Sequence, residues 1–360
     1  MTSAAPSGDD ARPNEALWLC SRRGRLRVGP APVPVAGSRE IVVRVRAVAV
    51  NPVDAVPGLA RSVIAPWLRY PTVMGSDVAG DVVDVGPEVT RFALGDRVLG
   101  HALSFEKRHN RPQEGAFQHH AVLHDHMAAP IPDHLTYQDA AVVPLGASTA
   151  ACGLFEQHLL ALARPHLAAP GRGQSVVVWG ASTSVGSNAV QLAANAGYRV
   201  LATASPHNAD YVRGLGAEKV VDYHRPTAVA ELLRALTGHQ LAGVLAIGTG
   251  SAAPCIDLAA RADGARAVAC AAPPIATALP RWRARRLDVR VGHIWGGTLA
   301  ENDVGPAIYE HFLPAALRSG AFRPAPPPRV VGDGLDCIPS GLAQLRRGVS
   351  ARKIVITLDP

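Results

Sequence analysis

Ser175-Val176-Val177-Val178-Trp179-Gly180-Ala181-Ser182-Thr183-Ser184-Val185-Gly186 is the stretch that decides the fold. Its first five residues are a short, continuous apolar run, as a strand buried on both faces requires. Glycines follow, and then a helical pattern over 187–196. A pyrophosphate needs close backbone approach and free N–H groups at a helix N-terminus. Gly180 supplies the tight turn and Gly186 lets the helix pack closely on the sheet, while Ser182, Thr183 and Ser184 add hydroxyls and N–H donors. The spacing is not G-x-G-x-x-G, so taken alone the stretch also fits an ordinary strand-to-helix turn.

Working outward, strands are expected at 199–204, 219–223 and 243–247, with helices at 208–215 and 229–236 between them. This β-α-β-α-β order is that of a parallel sheet with right-handed crossovers. The end of the second strand reads Ala202-Thr203-Ala204-Ser205-Pro206-His207-Asn208 and carries no carboxylate. A site for NAD usually places Asp or Glu there to hold the ribose 2′-OH. Here Ser205, His207 and Asn208 can instead donate hydrogen bonds to a 2′-phosphate, which favours NADP(H). His207 also fits a solvated loop histidine.

The flanks differ in kind. From 15 to 149 the chain is β-rich. Residues 41–48 alternate as a strand does, with Arg44 and Arg46 on one face, and short strands punctuated by Gly and Pro suggest a compact, partly barrel-like β domain. After 309 come a helix at 308–318, a Pro-rich connector at 324–328, a helix at 336–346 and a last strand at 353–358.

With 360 residues, 48% hydrophobic and 18% charged, the chain is long enough for two domains and too apolar to be disordered. The net charge is +7, and Lys107, Lys219 and Lys353 are the only lysines among 36 basic residues. Arginine is spread along the chain, densest at Arg281, Arg283, Arg285, Arg286 and Arg290, so no nucleic-acid partner is expected. Five scattered cysteines without a C-x-x-C pair argue against a disulfide framework or a structural zinc. Residues 1–14 read as a disordered tail. No signal peptide or 18-residue apolar run is visible, so a cytoplasmic location away from membranes is expected.

Taken together, Asn51-Pro52-Val53-Asp54, Gly75-Ser76-Asp77-Val78-Ala79-Gly80, Gly95-Asp96-Arg97-Val98, Gly115-Ala116-Phe117, the 180–186 turn and Leu215-Gly216-Ala217 resemble the medium-chain dehydrogenase/reductase superfamily. Ser205-Pro206-His207-Asn208 and Val349-Ser350-Ala351-Arg352-Lys353 look most like its zinc-free branch of quinone oxidoreductases and trans-acting enoyl reductases. The resemblance implies an α/β fold: a GroES-like β domain from both chain ends (15–150 and 310–360) and a Rossmann doubly wound parallel-sheet domain (151–309). Zinc-dependent members carry Cys where this chain has Asn51, and Gly-His-Glu where it has Gly75-Ser76-Asp77. They also carry a four-Cys lobe that is absent here. A catalytic zinc needs about three protein ligands, so no metal is expected. His120, His124 and His126 would share one strand face beside His119. With no acidic partner evident, they read as strand residues rather than a metal site.

By the same resemblance, Asn51 and Asp54 line the nicotinamide side of the cleft and Thr149 lies near the carboxamide. Tyr223 lies beside the adenosine, Val349 and Ser350 close the cleft, and Trp295 belongs to the substrate wall. Thr149 also fits a helix cap, Asp54 a structural partner and Trp295 an interface aromatic. Many relatives carry Tyr or Lys where this chain has Val56, so protonation by water or release of an enolate is expected. The implied activity is NADPH-dependent reduction of an activated C=C bond or quinone, on a small-molecule or thioester-bound substrate, by a monomer or homodimer. Another redox or cyclisation step, or a non-catalytic NADPH-binding role, stays open.

Overall fold

A computed structural model describes residues 13–272 and 278–358. The apolar run and glycine turn of 175–186 become the strand Gln174–Trp179 and the start of the helix Ser184–Asn195. That strand lies at the centre of a six-stranded sheet. Across the sheet the order is Lys219–Val221, Arg199–Thr203, Gln174–Trp179, Gln240–Ile247, Ala267–Ala271 and Arg290–His293, all parallel. Numbered along the chain this is 3-2-1-4-5-6, the doubly wound arrangement. Its ligand crevice lies at the carboxyl ends of the strands, where the winding direction reverses. Val176, Val177 and Val178 are completely buried, as burial on both faces demands.

A second sheet joins both ends of the chain. Lys353–Thr357 pairs antiparallel with Glu40–Ala49, which also pairs with Asp77–Val85 and His120–His124. Arg97–His101 and Ala128–Pro130 extend the sheet on one side and Pro328–Asp333 on the other. Arg44 and Arg46 do share a face, and both reach Asp81, at 3.3 and 2.8 Å. A smaller sheet is built from Leu26–Pro30, Glu15–Leu19 and Thr72–Val73.

The expected boundary at 150/151 falls inside the helix Pro144–Phe155, and that at 309/310 falls inside the π-helical turn Ala307–Phe312. Both segments pack with the barrel and the parallel sheet in one apolar cluster, so composition changes near these points while the chain does not break. The proposed tail ends too late. Residues 1–12 lie outside the described residues, but Asn14 is 1% exposed and donates to Pro32 O at 2.9 Å, and its Oδ1 accepts from His120 N. Among the described residues no helix is long and apolar enough to cross a membrane.

Candidate active site

Gly180 takes φ of +84°, a left-handed backbone that suits glycine. The turn is then locked by Thr183, whose Oγ1 accepts from Gly186 N at 3.0 Å and donates to Gly180 O at 2.8 Å. A Cβ on Gly186 would lie 2.3 Å from Gly180 O, so only glycine allows the helix start to sit this close to the strand end. Ser182, Ser184 and Val185 are half-buried around this N-terminus and Thr183 is exposed. Backbone N–H groups, hydroxyls and a 12-residue helix dipole converge here. A cofactor pyrophosphate fits this cradle.

At the end of the second strand the fold gathers five of the residues singled out from sequence. Ser205 Oγ donates to Tyr223 Oη at 3.3 Å, and Tyr223 is 41% exposed. From the far end of the chain, Ser350 Oγ meets His207 Nε2 at 3.1 Å and accepts from Asn208 Nδ2 at 3.0 Å. Val349 is half-buried beside them in sequence.

Asn51 lies in a buried polar set that sequence reading did not assemble. Its Nδ2 donates to Asp77 Oδ2 at 2.7 Å, and its Oδ1 accepts from Lys353 Nζ. Lys353 Nζ is also 2.9 Å from Asp77 Oδ2 and 3.4 Å from Ser184 Oγ, which ties this set to the phosphate cradle. Lys353 is 4% exposed and Asp77 fully buried. Asp54 turns back on its own loop: its Oδ2 accepts from Asn51 N at 2.8 Å, and burial pushes its carboxyl up to about 7. Behind Asp77, His101 Nδ1 meets Ser148 Oγ at 3.0 Å, and Ser148 Oγ meets Tyr309 Oη at 2.7 Å. Burial pushes His101 down to about 4, so this chain is neutral at ordinary pH.

Thr149 is mid-helix in Pro144–Phe155, which removes the cap reading. A Cβ on Gly296 would lie 2.4 Å from its Oγ1, so the loop carrying Trp295 passes directly over it. Trp295 stacks on Phe105 and meets Trp67 edge-on, both with centroids 5.8 Å apart. Its Nε1 donates to Glu106 Oε2 at 2.6 Å. Burial pushes the Glu106 carboxyl up to about 7 against the pull of that hydrogen bond. Sequence reading missed Glu106, an isolated acid in a loop.

The histidines group differently from expectation. His124 is joined by His109 and Glu114, not by His119 or His120, and these are the one such set of three among the described residues. Glu114 Oε1 is 2.8 Å from His124 Nε2, 3.3 Å from His109 Nδ1 and 2.6 Å from Arg111 Nη2. Glu40 also pairs with Arg111, and Glu301 lies 3.2 Å from His109 Nε2. Glu40 and Glu301 come from distant segments, while Glu114 lies only five residues after His109 and ten before His124. Burial opposes ionisation of Glu114, yet hydrogen bonds from His109, His124 and Arg111 hold it well below the usual carboxylate range. Burial likewise opposes charge on His109, yet Glu114 and Glu301 raise it above its ordinary value. The Glu114 stabilisation is complete above the ordinary carboxylate range and is lost as pH falls through its depressed folded value. The His109 contribution is complete below about 6.5 and is lost as pH rises through its raised value. Glu114→Gln is therefore expected to lower unfolding free energy at pH 6 by about 3 kcal/mol and to flatten the acid-side fall. Urea unfolding across pH 4–8 reads both; an unchanged acid limb would contradict the network.

Fold and cradle together define a dinucleotide-binding α/β enzyme. Residues 37–133 match the family model for the alcohol dehydrogenase GroES-like domain, and residues 184–308 match that for zinc-binding dehydrogenase. Dehydrogenase pigH of Monascus ruber is 41% identical over 366 residues, covering 96% of this chain and 99% of that one. Trans-enoyl reductase himH of Aspergillus japonicus is 38% identical over 352 residues, covering 96% and 98%. The crystal structure of an alcohol dehydrogenase superfamily protein from Novosphingobium aromaticivorans superposes with a TM-score of 0.74 at 25% identity, over 96% of this chain and all of the other. The chain belongs to the medium-chain dehydrogenase/reductase family. It is an oxidoreductase with an NAD(P)-binding fold.

Proposed function

We propose that this chain is an NADPH-dependent, zinc-independent reductase of an activated C=C bond or a quinone, serving natural-product assembly. The observation that carries this reading is the Asn51–Asp77–Lys353 set. Zinc needs about three donor ligands. Here the thiolate position is an amide, the imidazole position is the hydroxyl of Ser76, and the Asp77 carboxylate already accepts from Lys353 Nζ, Asn51 Nδ2 and Leu145 N. A cation is thus already supplied by the chain, and the residues present do not fit a catalytic zinc. The name of the himH relative, trans-enoyl reductase, supports C=C reduction.

NADPH bound over the 180–186 cradle would supply a hydride. Its pyrophosphate would lie on the N–H groups around Ser182, Thr183 and Ser184, and its 2′-phosphate near Ser205, His207, Asn208 and Tyr223, with Ser350 closing the cleft. The remaining work belongs to this chain. Reduction builds negative charge on the substrate carbonyl oxygen, which donors must stabilise. Thr149 Oγ1 has no hydrogen-bond partner among the described residues, so its O–H is available to a ligand. Trp67, Phe105 and Trp295 form an apolar wall that excludes water. Asp54 fixes the loop that presents Asn51. With Val56 unable to give a proton, Glu106 takes that part: Trp295 occupies Oε2, and Oε1 holds the proton. Titration with NADPH and NADH, followed by turnover on enones, quinones and enoyl thioesters, tests the reading. Tighter NADPH binding and turnover on this panel are expected; preference for NADH would overturn the cofactor assignment, and binding without turnover on any substrate would overturn the reaction.

A further inference from the structure

The segment 295–302 is a strap between the parallel sheet and the barrel. One side is tied to the end of the helix Pro144–Phe155. Thr298 Oγ1 and Asn302 Nδ2 both donate there to Glu156 Oε1, at 2.7 and 2.8 Å, and Glu156 is buried. The other side meets the barrel loop 105–109. Trp295 donates to Glu106 there, and a Cβ on Gly297 would lie 2.0 Å from the same carboxyl carbon, so the strap rests directly on that acid. Glu301, at the end of the 3-10 turn Thr298–Glu301, completes the closure with both oxygens. Its Oε2 accepts from Arg108 Nη1 at 2.6 Å, and its Oε1 meets His109 Nε2 at 3.2 Å. His126 Nε2 donates to Ala300 O at 3.0 Å beside them.

His109 has a carboxylate at each ring nitrogen, Glu301 at Nε2 and Glu114 at Nδ1, the latter 3.3 Å away. Only the doubly protonated ring donates to both; the neutral ring turns a lone pair on one of them. Around it stand Glu114 of the turn Pro112–Glu114, Glu301 of the strap with Arg108, and His124 of the strand His120–His124, whose ring centre is 4.5 Å away. It also feels Glu106 and His101 through space, while Arg111 and Glu40 pair behind Glu114. Burial opposes charge on Glu301, yet Arg108 and His109 hold it below its ordinary value, so it stays ionised while His109 titrates.

We propose that Glu301 and His109 are positioning residues: their ion pair clasps the strap onto the barrel, sets Trp295 on Glu106, and loosens when the His109 ring loses its second proton. The effect on catalysis rests on the reductase reading, in which Glu106 is the acid; the clasp itself does not. An exposed ion pair is worth a factor of about two to five. The Arg108 and His109 contacts thus hold the strap shut and remain weak enough to part as substrate enters.

Hydrogen–deuterium exchange of the full chain, corrected for intrinsic exchange and read on the peptide spanning 295–302 at pH 6 and pH 9, measures the clasp without turnover. Wild-type protection of the strap should fall by about two- to fivefold between the two. Glu301→Ala should already show the low protection at pH 6, and His109→Gln should show no pH dependence. The central strand Gln174–Trp179 should stay protected in all three, which separates loosening from unfolding. Glu106 titrates against the same strap in the opposite sense: ionised, it accepts more strongly from Trp295 Nε1 and tightens the strap as pH rises. Tightening with pH, or unchanged strap exchange in Glu301→Ala, would overturn the proposal. In turnover at pH 6, kcat of Glu301→Ala on an enoyl substrate should fall by about two- to fivefold, with NADPH affinity unchanged. A loosened strap with wild-type kcat would leave the clasp standing and overturn the role given to Glu106 instead.

Discussion

Lys353→Met is expected to destabilise the protein by about 3–5 kcal/mol, because it strands a buried carboxylate. Asp77 is completely buried, and its Oδ2 has Lys353 Nζ and Asn51 Nδ2 as partners. Removing the ammonium leaves two neutral donors, Asn51 Nδ2 and Leu145 N, to hold a full negative charge away from water. Against a total stability of roughly 5–15 kcal/mol, this loss approaches global unfolding. The double variant Lys353→Met/Asp77→Asn removes the charge as well and should recover more than half of the loss. Urea unfolding of both variants measures this. NADPH affinity should fall in the single variant too, because Lys353 reaches Ser184 in the cradle. A single variant within 1 kcal/mol of wild type, or a double variant no more stable than the single, would contradict the account of this pair.

Glu106→Gln should reduce kcat on an enoyl substrate by about 100-fold, the lower end of what a positioned acid contributes. The sign of the pH dependence follows from which form works. The protonated acid is the active one and its carboxyl is held near 7, so wild-type kcat should be high below pH 7 and fall above it. The glutamine variant has no such group and should lose that limb while binding NADPH normally. A Trp295→Phe variant removes the hydrogen bond that pulls the carboxyl down, so its limb should move to higher pH. If Glu106→Gln keeps the wild-type limb, the proton comes from elsewhere.

What was legible in the sequence were features of local chemistry. The apolar run before Gly180, the hydroxyls behind it and the missing acid after the second strand are short-range patterns, and each lies where the reading placed it. The edge strand Pro328–Asp333 starts at the last proline of the connector expected at 324–328 and runs through residues for which no element was expected; prolines suppress a strand signal, although an edge position tolerates them. The strand Ala267–Ala271 carries little strand signal because three of its five residues are alanine, and Arg290–His293 sits in an arginine run. The polar site was the least legible part. Lys353 acquires its meaning from Asp77, and Glu106 from Trp295, partners that only the fold brings together. The histidines were legible in part: His120–His124 is a strand, as the alternation predicts, while Glu40 and Glu301 reach the set from distant segments.

The central claim is metal-free reduction, and metal analysis coupled to turnover tests it most directly. Protein dialysed against chelator should contain substoichiometric zinc by mass spectrometry and still oxidise NADPH in the presence of an enoyl thioester at the undialysed rate. Stoichiometric zinc retained in the active protein, or activity lost on chelation and restored by zinc, would contradict the role assigned to Asn51, Asp77 and Lys353.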